Sequence, residues 1–199
     1  MEHDQVQFYA LLNNLLSSEN EVRATAESAY DAIPAATRVV FLIAATTGTT
    51  CEEQVRTLAA VLLRRLISSD FEKFYPELPP NHWPEFLKFL FTCASASSPV
   101  LRESALHIFA SVPGVFGNQQ SRYLEMIKQM LVQSLNDAAN KNVRFAALKA
   151  VCAFMLIHEK ETAIHKMFVD SIPSMYQILS ESIENLDDDS IAQMFCGPS

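Results

Sequence analysis

Apolar residues along this chain recur at helical spacing almost from end to end. Phe8, Leu11, Leu12, Leu15 and Leu16 follow i, i+3, i+4, i+7, i+8, and Val39, Val40, Leu42 and Ile43 form a short run after Pro34. Trp83, Leu87 and Leu90 follow Pro80-Asn81, and Leu124, Ile127, Leu131 and Leu135 make a further stripe. One pattern occurs four times: Val22-Arg23-x-x-Ala26, Val55-Arg56-x-x-Ala59, Leu101-Arg102-x-x-Ala105 and Val143-Arg144-x-x-Ala147. Each copy continues at +7, +8 and +11 with Ala29, Tyr30, Ile33; Leu62, Leu63, Leu66; Ile108, Phe109, Val112; and Ala150, Val151, Phe154. Offsets 0, 4, 7, 8 and 11 lie on one face of a 3.6-residue helix, so each copy predicts an amphipathic helix of about three turns.

The predicted starts agree with capping chemistry. Ser18-x-x-Glu21 and Thr50-x-x-Glu53 match the capping box, and Ser98-Pro99 matches an N-cap followed by proline in the first turn. Residues 162–185 carry another helical pattern, interrupted at Pro173. No segment alternates with period 2 over strand length, so the expected class is all-α. The repeated helices lie 33, 46 and 42 residues apart with another helix between them. A helix pair of this size leaves apolar surface open, and stacking such pairs into an α-solenoid covers it. The expected organisation is one solenoid domain over 1–199: hairpins at about 4–33, 35–68, 81–112 and 121–157, a half hairpin at 162–185, and an acidic, flexible tail at 186–199.

Composition narrows the function. With 49% hydrophobic residues, 19% charged and four glycines, the 199-residue chain fits a helix-rich globular class. Fifteen Lys and Arg against twenty-three Asp and Glu give a net charge of -8, and Asp170, Glu181, Glu184, Asp187, Asp188 and Asp189 crowd the end with no Lys or Arg beyond Lys166. Nucleic acid is not an expected partner, because phosphate binding needs a basic excess. No run of eighteen apolar residues occurs and the N-terminus is acidic, so neither a membrane-inserted helix nor a secretory signal is expected. Cys51, Cys93, Cys152 and Cys196 are too far apart for a C-x-x-C metal pair and read as free thiols.

Candidate chemistry is sparse. His3, His82, His107, His158 and His165 form no H-E-x-x-H, and no serine stands in Gly-x-Ser-x-Gly. The expectation is no enzyme, no metal and no cofactor. His107 flanks a buried stripe, and His158 and His165 are read as sharing a helical face. Gly114-x-x-Gly117 lacks the Lys-Ser/Thr of a phosphate loop and reads as a turn. Leu12-x-x-Leu15-Leu16 lies on a packing stripe and reads as core. Arg23, Arg56, Arg102 and Arg144, with Ala26, Ala59, Ala105 and Ala147, are read as repeat-stacking residues, each arginine spanning to the neighbouring repeat to bond a carbonyl or carboxylate. Arg64 and Arg65 fall outside the stripe, near the expected end of their helix, and are candidates for partner binding.

Longer strings add a resemblance. Gln7-Phe8-Tyr9-x-Leu11-Leu12-x-Asn14-Leu15-Leu16-Ser17, Ala59-Ala60-Val61-Leu62-Leu63-Arg64-Arg65-Leu66, Tyr75-Pro76-x-Leu78-Pro79, Ala105-Leu106-His107-Ile108-Phe109, Pro113-Gly114-x-Phe116-Gly117-Asn118-Gln119-Gln120 and Met130-Leu131-Val132-Gln133 resemble the N-terminal HEAT repeats of the Ran-binding importin beta family, of the importin beta-3 (karyopherin beta-3) kind. The resemblance covers roughly residues 6–190. It implies a nuclear import receptor that binds GTP-bound Ran through the second helices of its hairpins, with nucleoporins and basic cargo as further partners, in cytoplasm and nucleus.

Two departures qualify it. The family continues from Tyr-Pro-x-Leu-Pro into a further hairpin, whereas here Pro79-Pro80 run into Asn81-His82-Trp83-Pro84. The chain is thus expected to be shorter by about one repeat, and truncated after Asp187-Asp188-Asp189-Ser190 without the cargo-binding and acidic-loop parts. The second reading is a short variant or fragment without transport activity of its own, acting as a competitor or a general protein-binding scaffold.

Overall fold

A computed structural model describes residues 2–48, 51–74, 83–114 and 120–184. Among them there are ten α-helices, one 3-10 turn and no strand. In chain order these are α1 (Glu2–Leu15), α2 (Asn20–Asp31), α3 (Ala35–Thr47), α4 (Glu53–Phe74), α5 (Trp83–Ala94), α6 (Pro99–Ser111), α7 (Gln120–Leu135), α8 (Lys141–Ile157), α9 (Thr162–Met167), the 3-10 turn Val169–Ser171, and α10 (Ile172–Glu184). The Pro79-Pro80 junction, Thr50, Gly117, Cys196 and the acidic tail lie outside the described residues.

Two compact units divide the chain, Met1–Ile108 and Phe109–Ser199. In the first, α1 packs on α2, α3 on α4, and α5 on α3. Its core holds Phe8 and Leu12 of α1, Val39 and Leu42 of α3, Leu63 and Ile67 of α4, and Phe89 and Leu90 of α5, all buried. Phe8 meets Phe41 at 5.2 Å and Tyr30 at 6.3 Å between ring centroids. In the second unit α7 and α10 both pack on α8. There Phe154 sits between Phe109 at 5.7 Å and Phe168 at 6.3 Å, and it meets His158 in a T-shaped contact at 4.8 Å.

The repeated stripe is buried to different degrees. In α8 Val143, Ala147, Ala150, Val151 and Phe154 are all buried. Within α6, Leu101, Ala105 and Ile108 of the first unit and Phe109 of the second are buried, with Val112 just beyond. In α4 Leu62 is half-buried and the other four positions are buried, whereas in α2 only Ala26 and Tyr30 are buried, Val22 is half-buried and Ala29 is exposed, with half-buried Ile33 just beyond. The four alanines at +4 are buried in every copy, since a methyl group lets the packed partner helix come close.

Several helix ends depart from the sequence reading. The Ser18-x-x-Glu21 capping box does not form. Glu19 is the N-cap of α2 with no side-chain cap bond, and Ser17 Oγ accepts the Glu19 N–H at 3.1 Å instead. Leu16 falls beyond α1 and is exposed, so only Leu12 of the Leu12-x-x-Leu15-Leu16 string is buried. Pro173 does not interrupt its helix. It lies in the first turn of α10, where the missing N–H costs nothing, and the break falls at Phe168–Ser171. Gly48 closes α3 by donating to Ala44 O at 2.9 Å, and a Cβ there would sit 2.9 Å from the same oxygen, so the turn needs the missing side chain.

Candidate functional site

The four repeated arginines share one geometry. Arg23 Nη1 donates to Ser17 O at 3.1 Å, Arg56 Nε to Thr46 O at 3.1 Å, Arg102 Nη1 to Ala96 O at 2.7 Å and Ser97 O at 2.8 Å, and Arg144 Nη1 to Asp137 O at 3.1 Å. Every acceptor lies in the last turn of the preceding helix or just after it, where carbonyls have no intrahelical partner. A guanidinium there satisfies them and meets the negative end of the helix dipole. Against the expectation that each arginine spans to the neighbouring repeat, the described carbonyl bonds of all four stay inside the hairpin. Arg144 also reaches onward, its Nη2 donating to Glu181 Oε2 of α10 at 2.6 Å. Hydrogen bonds from Arg144 and then Gln177 hold the Glu181 carboxyl below its ordinary range.

Arg64 and Arg65 are not near a helix end, because α4 runs on to Phe74. Cation stabilisation by a helix C-terminus therefore does not account for them. Arg64 is half-buried, and its Nη1 lies 3.4 Å from Glu103 Oε1 of α6. His107 Nε2 lies 3.6 Å from the same oxygen. The hydrogen bond with His107 is the main cause holding the Glu103 carboxyl below its ordinary range; burial opposes it, and Arg64 adds to it. Such a part-exposed ion pair is worth about 0.2–1 kcal/mol. Arg65 is exposed. The two neighbouring arginines thus divide: one ties α4 to α6, and the other faces solvent.

Sequence reasoning missed Glu103 and Glu181 as partners. Position +2 of the repeat holds Ala24, Thr57, Glu103 and Phe145, so Glu103 carries no repeat signal, and Glu181 lies 37 residues from Arg144. A cleft of about 360 Å³ opens between the α7–α8 turn and α10, lined by Asn136, Arg144, Ser174, Gln177 and Glu181 among others. Its polar groups answer one another: Ser174 Oγ donates to Asn136 Oδ1 at 2.9 Å, and Gln177 Nε2 to Glu181 Oε1 at 2.9 Å.

His107, His158 and His165 each meet a polar group nearby, and Cys51, Cys93 and Cys152 are free thiols. His158 and His165 do not share a helix: His158 follows α8 and pairs its Nδ1 with Glu161 Oε1 at 2.8 Å, while His165 on α9 meets Met155 O with Nε2 at 3.2 Å. Burial pushes the Cys93 thiol up to about 12. No group of three His, Cys, Asp or Glu among the described residues could hold a metal ion. No single helix among them is long and apolar enough to cross a membrane.

Residues 63–197 match a family model described as IPO5-like, TPR repeats. Among solved structures, one in which Kap95p binding induces the switch loops of RanGDP to adopt the GTP-bound conformation matches with TM-score 0.56 and 15% identity, over 96% of this chain and 27% of that one. A multiply substituted Kap121p matches with TM-score 0.50 and 20% identity, over 98% of this chain and 22% of that one. Kap121p bound to Nup53p gives 0.45 and 20% over the same shares. The chain spans about a quarter of the length of these structures. The fold is that of the all-α HEAT-repeat solenoids found in karyopherins.

Proposed function

This chain belongs to the IPO5-like TPR-repeat family, and from that premise we propose that it carries N-terminal repeats of an importin beta-3 type nuclear import receptor and binds GTP-bound Ran. The family match over residues 63–197 carries this reading. The similarity of fold to Kap95p, a protein solved with Ran, supports it. The exposed Arg65 contacts the GTPase, and Arg64, steadied by Glu103, offers it the remaining guanidinium donors. Nucleoporins and basic cargo proteins are the further partners, and the net charge of -8 suits the latter. The place of action is cytoplasm and nucleus. No residue performs chemistry in this function.

Titration with Ran in both nucleotide states tests it. Selective binding of the GTP form, weakened about tenfold (about 1.4 kcal/mol) by Arg65→Glu, is the expected result. Inserting a family-like hairpin between Pro80 and Asn81 tightens binding by at least a similar factor, because multi-point contacts past the insertion move by one repeat step. Equal affinity for the two states, or none for either, overturns the proposal.

A further inference from the structure

The side of α8 away from its buried stripe is patterned as well. Phe145, Lys149, Cys152 and Leu156 stand at i, i+4, i+7 and i+11, and they begin two residues after Val143, which carries them about 200° around the helix axis. Phe145 and Lys149 are half-buried, Cys152 is exposed, and Leu156 is 72% exposed. Stacking of repeats does not require these residues. The positions equivalent to Phe145 hold Ala24, Thr57 and Glu103, and the position of α4 equivalent to Leu156 holds Ser68.

The charge of this helix has one sign. α8 carries Lys141, Arg144 and Lys149 and no Asp or Glu. Lys141 Nζ lies 5.2 Å from the centre of the Phe145 ring, a cation–π contact that sets a positive charge beside the apolar surface. The same lysine acts on the Glu181 carboxyl. Among the described residues Lys149 has no hydrogen-bond or ion-pair partner. In a chain of net charge -8, this face is apolar and positive together. We propose that it docks an acidic amphipathic helix of another protein, whose apolar stripe lies on Phe145, Cys152 and Leu156 while its Asp or Glu side chains meet Lys149 and Lys141. A second copy of this chain does not suit the face, because two-fold pairing about the middle of the stripe sets Lys149 against Lys149. The proposal does not rest on Ran binding.

Fluorescence anisotropy with the full chain tests this. The probe is a fluorescein-labelled synthetic helix with a leucine stripe flanked by glutamates, and its control carries lysine in place of each glutamate. The glutamate peptide is expected to bind at least about tenfold more tightly than the lysine peptide, and Lys149→Glu to weaken it about tenfold. Lys166→Glu makes the same change of net charge at an exposed position of α9 and should leave the affinity within about twofold. Cys152 locates the bound peptide: its alkylation by N-ethylmaleimide, followed by peptide mass spectrometry, should slow severalfold when the glutamate peptide saturates the chain. Absence of binding, equal affinity for the two peptides, equal losses from Lys149→Glu and Lys166→Glu, or an unprotected Cys152 each overturn the proposal. Protection of Cys152 that grows with chain concentration in the absence of peptide overturns it in favour of a second copy.

Discussion

Hairpins one and four carry the same pattern but are packed very differently. In both, the arginine after the first aliphatic residue bonds the preceding turn, Arg23 to Ser17 O and Arg144 to Asp137 O, both at 3.1 Å. In both, the alanine at +4 is buried. Yet α8 buries all five stripe positions between α7 and α10, while α2, packed on α1, buries only Ala26 and Tyr30. The repeat specifies which residues are able to pack. The presence of helices on two sides decides which of them do.

The largest effect that would sharpen this contrast is cavity formation. Phe154→Ala is expected to cost about 3–5 kcal/mol, since the ring is fully buried among Phe109, Phe168 and His158. Ile33→Ala, at a half-buried position of hairpin one, is expected to cost less than about 1 kcal/mol. Urea unfolding followed by circular dichroism measures both, and equal losses would erase the distinction. Overpacking comes next. Ala147→Leu should cost about 1–3 kcal/mol. Ala29→Leu, the +7 position of hairpin one, is exposed and should stay within about 0.5 kcal/mol.

The smallest effect concerns the onward bond of Arg144. The Glu181 carboxyl is held low chiefly by the hydrogen bond from Arg144, so its contribution is present above the ordinary carboxylate value of 4.5 and is lost as pH falls through the depressed one. Arg144→Met should therefore lower the unfolding midpoint near pH 6 and flatten its decline between about pH 5 and about pH 3. Arg23→Met, with no carboxylate among its described partners, should leave that acid slope unchanged. A slope unaffected by Arg144→Met would remove the ion pair from the account of hairpin four.

Most of the fold was legible because helical periodicity is a local signal. The four Val/Leu-Arg-x-x-Ala copies all start helices, and the alanine of each is buried. Less visible was anything set by distance or by competing local bonds. Arg64 and Arg65 looked like a helix end because the shared stripe stops at Leu66, but Ile67 is buried and carries α4 on to Phe74. Ser18 looked like a cap, yet the neighbouring Ser17 hydroxyl takes the turn N–H. Glu103 and Glu181 became partners through packing of helices far apart in sequence, for which no spacing rule exists. The recurrence of the arginines pointed to stacking between repeats, whereas the described carbonyl each one finds belongs to its own turn.

That choice of carbonyl bears on how the chain folds in time. The bond partners of Arg23, Arg56, Arg102 and Arg144 to those turns are separated by 6, 10, 6 and 7 residues at the widest. Closing so short a loop takes on the order of 10–100 ns and carries little of the entropic penalty of long-range pairing. Each hairpin can thus set its own corner before its neighbour exists. Synthesis from the N-terminus then adds finished corners one by one, and nucleation is available at several points along the chain.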